Sequence, residues 1–202
     1  MSILNAFVTP ELALLGVDTE VRFPDGTMGE ACKLITLPHL SVAIGFRGLD
    51  ALFMAAIPVI VGFKGSFDAL VEIIPGLIDE SVKFCRDQWS TPDEMLLVNF
   101  VIVGYSESAG RMTGHLFERD LSGQIKSGHD FPQSYAPFWN AEDLKSLGIK
   151  ADRDGMGVLA QNQCKWMRER GPVDNVAGGR FFIAEVRRNS VKIEQAFKFP
   201  GR

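Results

Sequence analysis

Short apolar runs, each bounded by turn residues, characterise the beginning of the chain. The four runs cover residues 3–8, 11–17, 33–37 and 40–46. Thr9-Pro10 separates the first two runs, and Pro38-His39 separates the last two. Apolar runs of this length that end at proline and polar residues are typical of β-strands. The pattern therefore predicts two successive β-hairpins.

The spacing of apolar residues then changes to that of helices. Residues 48–63 and 66–89 predict two helices, because apolar side chains recur there every three or four positions. In the second helix a single apolar stripe contains Phe67, Leu70, Val71, Ile74, Ile78, Val82 and Cys85. Such a stripe indicates a helix that covers one face of a core.

Strands and helices alternate again in the second half of the chain. Strands are predicted at residues 94–105 and 111–120, helices at 141–148 and 155–171, and a last hairpin at 178–188 and 190–199. This order of elements predicts an α+β fold. We expect two antiparallel sheets stacked face to face with helices on both outer sides, which is a four-layer αββα sandwich.

Composition narrows the class of protein. The chain has 202 residues, of which 46% are hydrophobic and 23% charged, and a net charge of −4. This length predicts one domain over residues 1–202, and the acidic balance argues against a nucleic-acid partner. The longest apolar run, residues 51–63, is too short for a membrane span, and no secretion signal is recognisable. Cys32, Cys85 and Cys164 are expected to be reduced core residues, which favours a cytoplasmic protein without a membrane partner.

Ser2 is the first candidate for chemistry. Removal of Met1, which is usual before a small residue, would expose a residue that carries both a hydroxyl and a free α-amine. The α-amine has a reference pKa of about 8, so it can take the hydroxyl proton as the oxygen attacks a carbonyl. A nearby cation would favour the deprotonated hydroxyl, and a buried cation needs an acid partner. Lys33 and Asp18 suit these two roles.

Most of the chain resembles the proteasome-type β subunits of the N-terminal nucleophile hydrolase superfamily, in their bacterial proteasome-like form. The resemblance lies in the stretches SILNAFVTPELALLGVDTE (2–20), GEACKLITLPHLSVAIGFRGLDALF (29–53), VIVGYSESAGRMTGHLFERDLSG (101–123) and DNVAGGRFFIAEV (174–186). It implies Ser2 as the nucleophile, in place of the family's threonine, with Asp18 and Lys33 as the family's acid and lysine. It also implies Gly45 as the oxyanion-hole glycine and Asp174 as the acid that orients the N-terminus.

The resemblance also implies an activity and partners. We expect hydrolysis of peptide amide bonds in a peptide or protein substrate, inside a homo-oligomer that is a ring or a helical stack, with an ATPase as a possible further partner. No cofactor is implied. The residues expected near the substrate cleft are Val21, Ala31, Ile35, Ala43 and Arg47.

The chain departs from the family pattern at two positions. Ala177 stands where the family has a serine that helps to hold the N-terminal amine. The family's other supporting serine has two candidates, Ser127 and Ser134. A catalytically silent assembly subunit is therefore an alternative interpretation, and a small-molecule amidase of the same superfamily is another.

Other motifs favour ordinary structural roles. Residues 104–110 match only part of the G-x-S-x-G nucleophile elbow around Ser106, and the following residues read as a strand where the elbow needs a helix. Residues 152–155 hint at a calcium loop but lack its remaining ligands, so we expect a helix N-cap. His39, His115 and His129 show no metal-binding spacing.

Overall fold

The protein is built mainly from antiparallel strands. The computed structural model describes residues 2–23, 25–137, 148–170 and 177–201. Its strands are β1 (Leu4–Val8), β2 (Ala13–Asp18), β3 (Glu20–Arg22), β4 (Met28–Glu30), β5 (Leu34–Leu37), β6 (Val42–Gly48), β7 (Val98–Ser106), β8 (Arg111–Arg119), β9 (Ile125–His129), β10 (Gln133–Ala136), β11 (Arg180–Arg187) and β12 (Ser190–Lys198). Its α-helices are α1 (Asp50–Gly62), α2 (Phe67–Trp89) and α3 (Arg153–Arg170). Single 3₁₀ turns lie at Pro38–Leu40 and Asp93–Met95.

Two five-stranded antiparallel sheets form the centre of the fold. The first sheet has the order β10-β1-β2-β11-β12, the second has the order β5-β6-β7-β8-β9, and β3 and β4 form a separate ribbon. Helix α3 packs on the outer face of the first sheet, whereas α1 and α2 pack on the outer face of the second. A third apolar cluster fills the space between the sheets. The structure confirms the expected four-layer αββα sandwich.

Alternation along the inner strands explains why both faces of each sheet are buried. On β2, Leu14 packs toward α3, whereas Leu15 packs between the sheets. On β6, Ile44 packs toward α1 and α2, whereas Ala43 packs between the sheets. Successive side chains of a strand point to opposite faces of the sheet. A strand whose two faces are both packed against other layers therefore needs consecutive apolar residues. Burial of each such leucine or isoleucine contributes about 1.5–3 kcal/mol.

Side-chain caps define the beginnings of α2 and α3. Ser66 precedes α2, and its Oγ accepts a hydrogen bond from Ala69 N at 3.2 Å. Asp152 precedes α3, and its carboxylate accepts from Gly155 N at 2.8 Å, which confirms the predicted N-cap. A cap of this kind contributes about 1 kcal/mol to helix stability. The apolar stripe predicted for α2 is buried against the second sheet.

Several boundaries and burial assignments differ from those that the sequence predicts. β7 begins at Val98 and not at residue 94, because a 3₁₀ turn occupies Asp93–Met95. Cys85 and Cys164 are buried as expected, but Cys32 is exposed, since it lies in the segment that leads into β5. Residues 141–147 of the predicted helix lie outside the described residues. Among the helices that the structure describes, none is long and apolar enough to cross a membrane.

Candidate active site

Lys33 is the centre of a buried polar cluster at one end of the sandwich. Its Nζ donates hydrogen bonds to Ser2 Oγ at 2.8 Å, to Asp18 Oδ1 at 3.1 Å and to the Glu20 carbonyl oxygen at 2.6 Å. Only 4% of the Lys33 surface and none of the Asp18 surface is exposed. A protonated lysine has three N–H donors, so each donor has an acceptor here. The structure thus brings Ser2, Asp18 and Lys33 into direct contact.

Asp18 connects Lys33 to the N-terminal segment and to the segment before β11. Its Oδ1 also accepts from Ile3 N at 2.9 Å, and its Oδ2 accepts from Gly178 N at 3.1 Å. Burial raises the pKa of the Asp18 carboxyl above its ordinary value of 3.8, because desolvation outweighs the Lys33 charge and the two amides, which lower it. Removing one partner of a buried ion pair costs about 3–5 kcal/mol, since the other charge stays buried.

The register of the first hairpin places Ser2 beside Asp18. Leu4 pairs with Val17 in β1 and β2, and Asp18 N donates to the Ile3 carbonyl oxygen at 3.3 Å. A shift of this pairing by one residue would turn the Asp18 side chain to the opposite face of the sheet. Strand pairing therefore brings the acid that ends β2 to the backbone of the segment that carries Ser2.

A second set of contacts supports the segment that leads to Lys33. Ala31 N donates to the Thr19 carbonyl oxygen at 2.8 Å. Thr19 Oγ1 donates to Glu30 Oε2 and accepts from Arg180 N, each at 2.8 Å. Glu30 also forms an ion pair with Arg180 at 2.7 Å. These bonds join the β3–β4 ribbon to β11, so they limit the movement of the lysine-bearing segment.

A cavity of about 690 Å³ opens in front of Ser2. It lies where β6 ends and β7 begins, next to the end of β8 and the turn that follows. Its lining comprises Ser2, Arg47, Gly48, Leu49, Glu94, Met95, Leu97, Val98, Asn99, Glu118, Arg119, Asp120, Leu121 and Ser122. The cavity is large enough to hold part of a peptide or a small amide.

Gly45, the predicted oxyanion-hole glycine, does not line this cavity. It lies within the second sheet, paired with Leu34 on one side and with Val101 on the other. A Cβ at Gly45 would lie 2.5 Å from Leu4 Cδ1, so the residue faces the core between the sheets. The prediction for Gly45 is therefore wrong in its placement, because a paired strand position has no amide available to a ligand.

Gly48 is the glycine that the structure places near Ser2. Phe46 N donates to the Lys33 carbonyl oxygen at 2.9 Å. Because successive amides of a strand point to opposite sides, the amide of Gly48 points to the same side as the amide of Phe46. Gly48 lies just beyond the point where β5 begins. Gly48 has φ +148°, and a Cβ there would lie 2.6 Å from the Leu97 carbonyl oxygen. Only glycine fits this backbone without strain.

The five residues predicted to line the substrate cleft lie in different places. Arg47 lines the 690 Å³ cavity, and Ala31 lines a second cavity of about 330 Å³ that is also lined by Lys33. Val21 is half-buried in β3, and Ile35 packs against the apolar core between the second sheet and helices α1 and α2. Ala43 is fully buried between the sheets, so the prediction that it lines the cleft is wrong.

Asp174, the predicted second acid, lies outside the described residues. Ala177, at the position of the family's serine, is buried between α3 and the first sheet. Its carbonyl oxygen accepts a hydrogen bond from Cys164 Sγ at 3.3 Å.

Neither candidate for the supporting serine reaches Ser2. Ser134 pairs with Ala6 in β1, four residues from Ser2, which corresponds to roughly 13 Å along a strand. Ser127 pairs with Phe117, which packs in the core between the second sheet and helices α1 and α2. Directly paired residues point to the same face of a sheet, so Ser127 faces away from the space between the sheets.

Ser106 lies at the end of a strand and is followed by another strand. β7 ends at Ser106, and β8 begins at Arg111 after a tight turn. Ser106 Oγ lies 3.0 Å from Ser108 Oγ and accepts from Ala109 N at 3.0 Å, so it stabilises that turn. A nucleophile elbow would need a helix after the serine. Across the part of the chain that the structure describes, no group of three or more His, Cys, Asp or Glu side chains could hold a metal ion.

Sequence reasoning missed the residues that complete the cavity, above all Gly48, Asn99 and Glu118. Asn99 and Glu118 face each other across β7 and β8. Polar residues near the ends of otherwise apolar strands were the available signal. Their meaning depends on which strands become neighbours, and a strand pattern does not state this.

A scan against models of protein families finds no match, and a search of curated proteins finds no similar sequence. Solved structures with a similar fold include Anbu from Hyphomicrobium sp. strain MC1, in a structure of its Gly-1 mutant. Its TM-score is 0.65 at 13% identity, over 98% of this chain and 88% of that chain. Anbu from Yersinia bercovieri, described as an ancestral β-subunit, has a TM-score of 0.64 at 10% identity, over 98% of this chain and 87% of that one. The likeness shows that these chains share the α+β sandwich fold.

Proposed function

We propose that the protein is a proteasome-like N-terminal nucleophile hydrolase that cleaves peptide amide bonds with Ser2, after Met1 has been removed. The observation that carries this proposal is the 2.8 Å hydrogen bond from Lys33 Nζ to Ser2 Oγ, with Lys33 held by the buried Asp18. The fold similarity to Anbu, described in one structure as an ancestral β-subunit, supports it.

Ser2 attacks the substrate carbonyl in the first step. Because Ser2 Oγ accepts a hydrogen bond from Lys33, its own proton is directed elsewhere, and the free α-amine of Ser2 takes it. The Lys33 charge stabilises the oxygen as negative charge develops on it. A C–O bond forms, the C–N bond of the tetrahedral intermediate breaks, and the leaving amine receives the proton from the α-ammonium.

Water completes the reaction in the second step. The α-amine, again neutral, takes a proton from a water molecule that attacks the Ser2 ester. The ester C–O bond breaks, Ser2 Oγ regains a proton, and a carboxylic acid leaves. We assign the binding of the oxyanion in both steps to the amide N–H of Gly48, because Gly48 lines the cavity in front of Ser2.

Covalent labelling tests the nucleophile. Two fusion proteins are cut by a protease so that one exposes Ser2 and the other retains one glycine before Ser2. A β-lactone or epoxyketone should add one inhibitor mass to residue 2 of the first chain. The extra glycine should suppress labelling, because Ser2 then has no free α-amine to act as the base.

Ser2→Ala is the matched control and should also prevent labelling. Labelling of the glycine-extended chain, or labelling that maps to Ser106, would contradict the proposal. Serine has no methyl group to restrict its rotamer, so we expect slower labelling of the wild type than of a Ser2→Thr variant.

A silent assembly subunit is the second candidate function, and Ala177 is the observation that favours it. Its side chain has no hydroxyl, and it is buried in the α3-side core, so it cannot hold the N-terminal amine. No labelling of a chain shown by mass to begin at Ser2 would favour this candidate over the enzyme.

Assembly with further copies of this chain is also part of the proposal. A groove of about 530 Å³ between α1 and α2 exposes the apolar side chains of Met54, Val59, Phe84 and Trp89. Burial of such a surface would favour association.

Light scattering should give a mass that is a multiple of 22.3 kDa. Trp89→Glu should lower that mass, Ile193→Glu should not, and a monomer of the wild type would contradict assembly.

A further inference from the structure

Polar side chains cross the second sheet in one line at its end nearest Ser2. The line contains Arg47, Asn99, Glu118 and Lys126, which are successive cross-strand partners in β6, β7, β8 and β9. We call it the polar row. Ala43 and Val101 lie on the same side of β6 and β7 as Arg47 and Asn99, and they face the first sheet. The polar row therefore extends this inner face of the second sheet beyond the apolar core. Arg47, Asn99 and Glu118 line the same cavity as Ser2.

Most charges around this cavity already have partners within the protein. Asp120 forms an ion pair with Lys126 at 2.8 Å, and Lys126 also stands opposite Glu118 in the polar row. Arg119 is buried, donates to the Leu96 carbonyl oxygen at 3.1 Å and lies 3.6 Å from a carboxylate oxygen of Asp93. Glu94 is exposed at the rim of the cavity. Among the side chains of the described cavity lining, Arg47 is the cation without an ion pair.

Arg47 uses little of its hydrogen-bonding capacity. Its Nη1 donates to Asn99 Oδ1 at 3.2 Å, and among the described residues no carboxylate forms an ion pair with it. A guanidinium has five N–H donors in a fixed fork that matches a carboxylate. Burial lowers the pKa of Arg47, because desolvation outweighs the charges of Glu118 and Asp18, which raise it. A partly desolvated cation gains more from a bound anion than an exposed one does.

We propose that Arg47 binds a carboxylate of the substrate beside the bond that Ser2 attacks, so that the site prefers acidic peptides. This inference rests on the proposed hydrolase function, and it adds the substrate class. The carboxylate is that of a Glu or Asp side chain or that of the C-terminus of a short peptide. Both sources present the same planar anion to the guanidinium. Glu118 lies beyond Asn99 in the polar row, and its charge acts on both Lys126 and Arg47.

Binding without turnover tests the inference. The chain that begins at residue 2 and carries Ser2→Ala is titrated with three fluorescent tetrapeptides of equal length. One has Glu with an amidated C-terminus, one has Gln with a free C-terminus, and one has Gln with an amidated C-terminus. At least one carboxylate peptide should bind about tenfold or more tightly than the neutral peptide, and the stronger of the two identifies the carboxylate source.

Arg47→Gln should remove this preference, whereas the matched control Arg188→Gln, an exposed arginine outside the cavity, should keep it. Equal binding of the three peptides, or a preference that survives Arg47→Gln, overturns the inference. If Arg47→Gln does not fold, the equally neutral Arg47→Met replaces it, and an undiminished preference there has the same meaning.

Failure of the inference and failure of the proposed function give different results. If Ser2 is labelled but the three peptides bind equally, only the proposed role of Arg47 is contradicted. An Arg47-dependent preference in a chain whose Ser2 never reacts contradicts hydrolysis alone.

Discussion

Two serine clusters lie in different parts of the molecule and contain similar residues. In one, Ser2 contacts Lys33, which is paired with the fully buried Asp18. In the other, Ser106 Oγ lies 3.0 Å from Ser108 Oγ, and Ser108 N donates to Asp68 Oδ2 at 3.0 Å. Each cluster places a hydroxyl close to a carboxylate.

The surroundings of the two acids differ in kind. Burial raises the pKa of Asp18, whereas hydrogen bonds from Ser106 and Ser108 leave the pKa of Asp68 below its ordinary value although burial raises it. Asp68 lies in the first turn of α2, where a negative charge is stabilised. A serine hydroxyl therefore contacts a buried cation at a cavity in one place, and stabilises a turn in the other. The residue types alone do not distinguish these roles.

Alanine substitution of each serine gives the largest expected difference between the clusters. Ser2→Ala should reduce peptide hydrolysis by about four orders of magnitude or to background, because the attacking oxygen is lost. Ser106→Ala should keep most of the activity and lower the free energy of unfolding by about 1 kcal/mol, since it loses turn hydrogen bonds. Steady-state kinetics and urea unfolding of both variants measure these effects. Loss of activity in Ser106→Ala alone would reverse the assignment.

Removal of the lysine charge should have the next largest effect. Lys33→Met should lower kcat by about 10²–10³, because the cation that stabilises the developing oxyanion and the deprotonated hydroxyl is gone. It should also lower the free energy of unfolding by about 3–5 kcal/mol, since Asp18 is left buried without its partner. Lys165→Met, at an exposed lysine that pairs with Glu169 on α3, is the control and should change kcat little. Similar kinetics of the two variants would contradict a role for Lys33.

The raised pKa of Asp18 predicts how the free energy of unfolding changes with pH. Because the folded-state pKa of Asp18 is raised above 3.8, this carboxyl favours the folded state most at pH below 3.8, and the contribution is lost as pH rises through the folded pKa. The difference in free energy of unfolding between wild type and Asp18→Asn should therefore fall as pH rises through this window and become constant above it. Urea unfolding from pH 3 to 8 measures the difference. A difference that increases with pH would show that Lys33 and the amides outweigh desolvation.

The smallest effect is expected at the acid of the second cluster. Asp68→Ala should lower the free energy of unfolding by about 1 kcal/mol, because Ser108 N loses its acceptor and α2 loses a negative charge from its first turn. Activity should not change. Asp79→Ala, at an exposed position in the middle of α2, is the control for helix propensity and charge. A loss of activity in Asp68→Ala would indicate that the second cluster takes part in catalysis.

Some of the fold and the site could be predicted because local patterns carry them. The apolar runs of the first two hairpins and the stripe on α2 specify their own secondary structure, and the structure confirms them. Short elements such as β3 and β4, with three residues each, have no pattern of their own and form through contacts with Thr19 and Arg180. Asp174 lies outside the described residues, so its role stays a prediction.

The amino-acid sequence by itself determined that this chain forms strands buried on both faces and amphipathic helices, and that it carries Ser2, Asp18 and Lys33. Only the tertiary structure decided that these three side chains meet, that Gly48 and not Gly45 lies at the cavity, and that Ala43 lies between the sheets. The physical reason is that period and composition are local properties of the chain. Strand register and sheet stacking instead depend on contacts between distant residues, and a shift of one position exchanges the buried and the cavity-facing side chains.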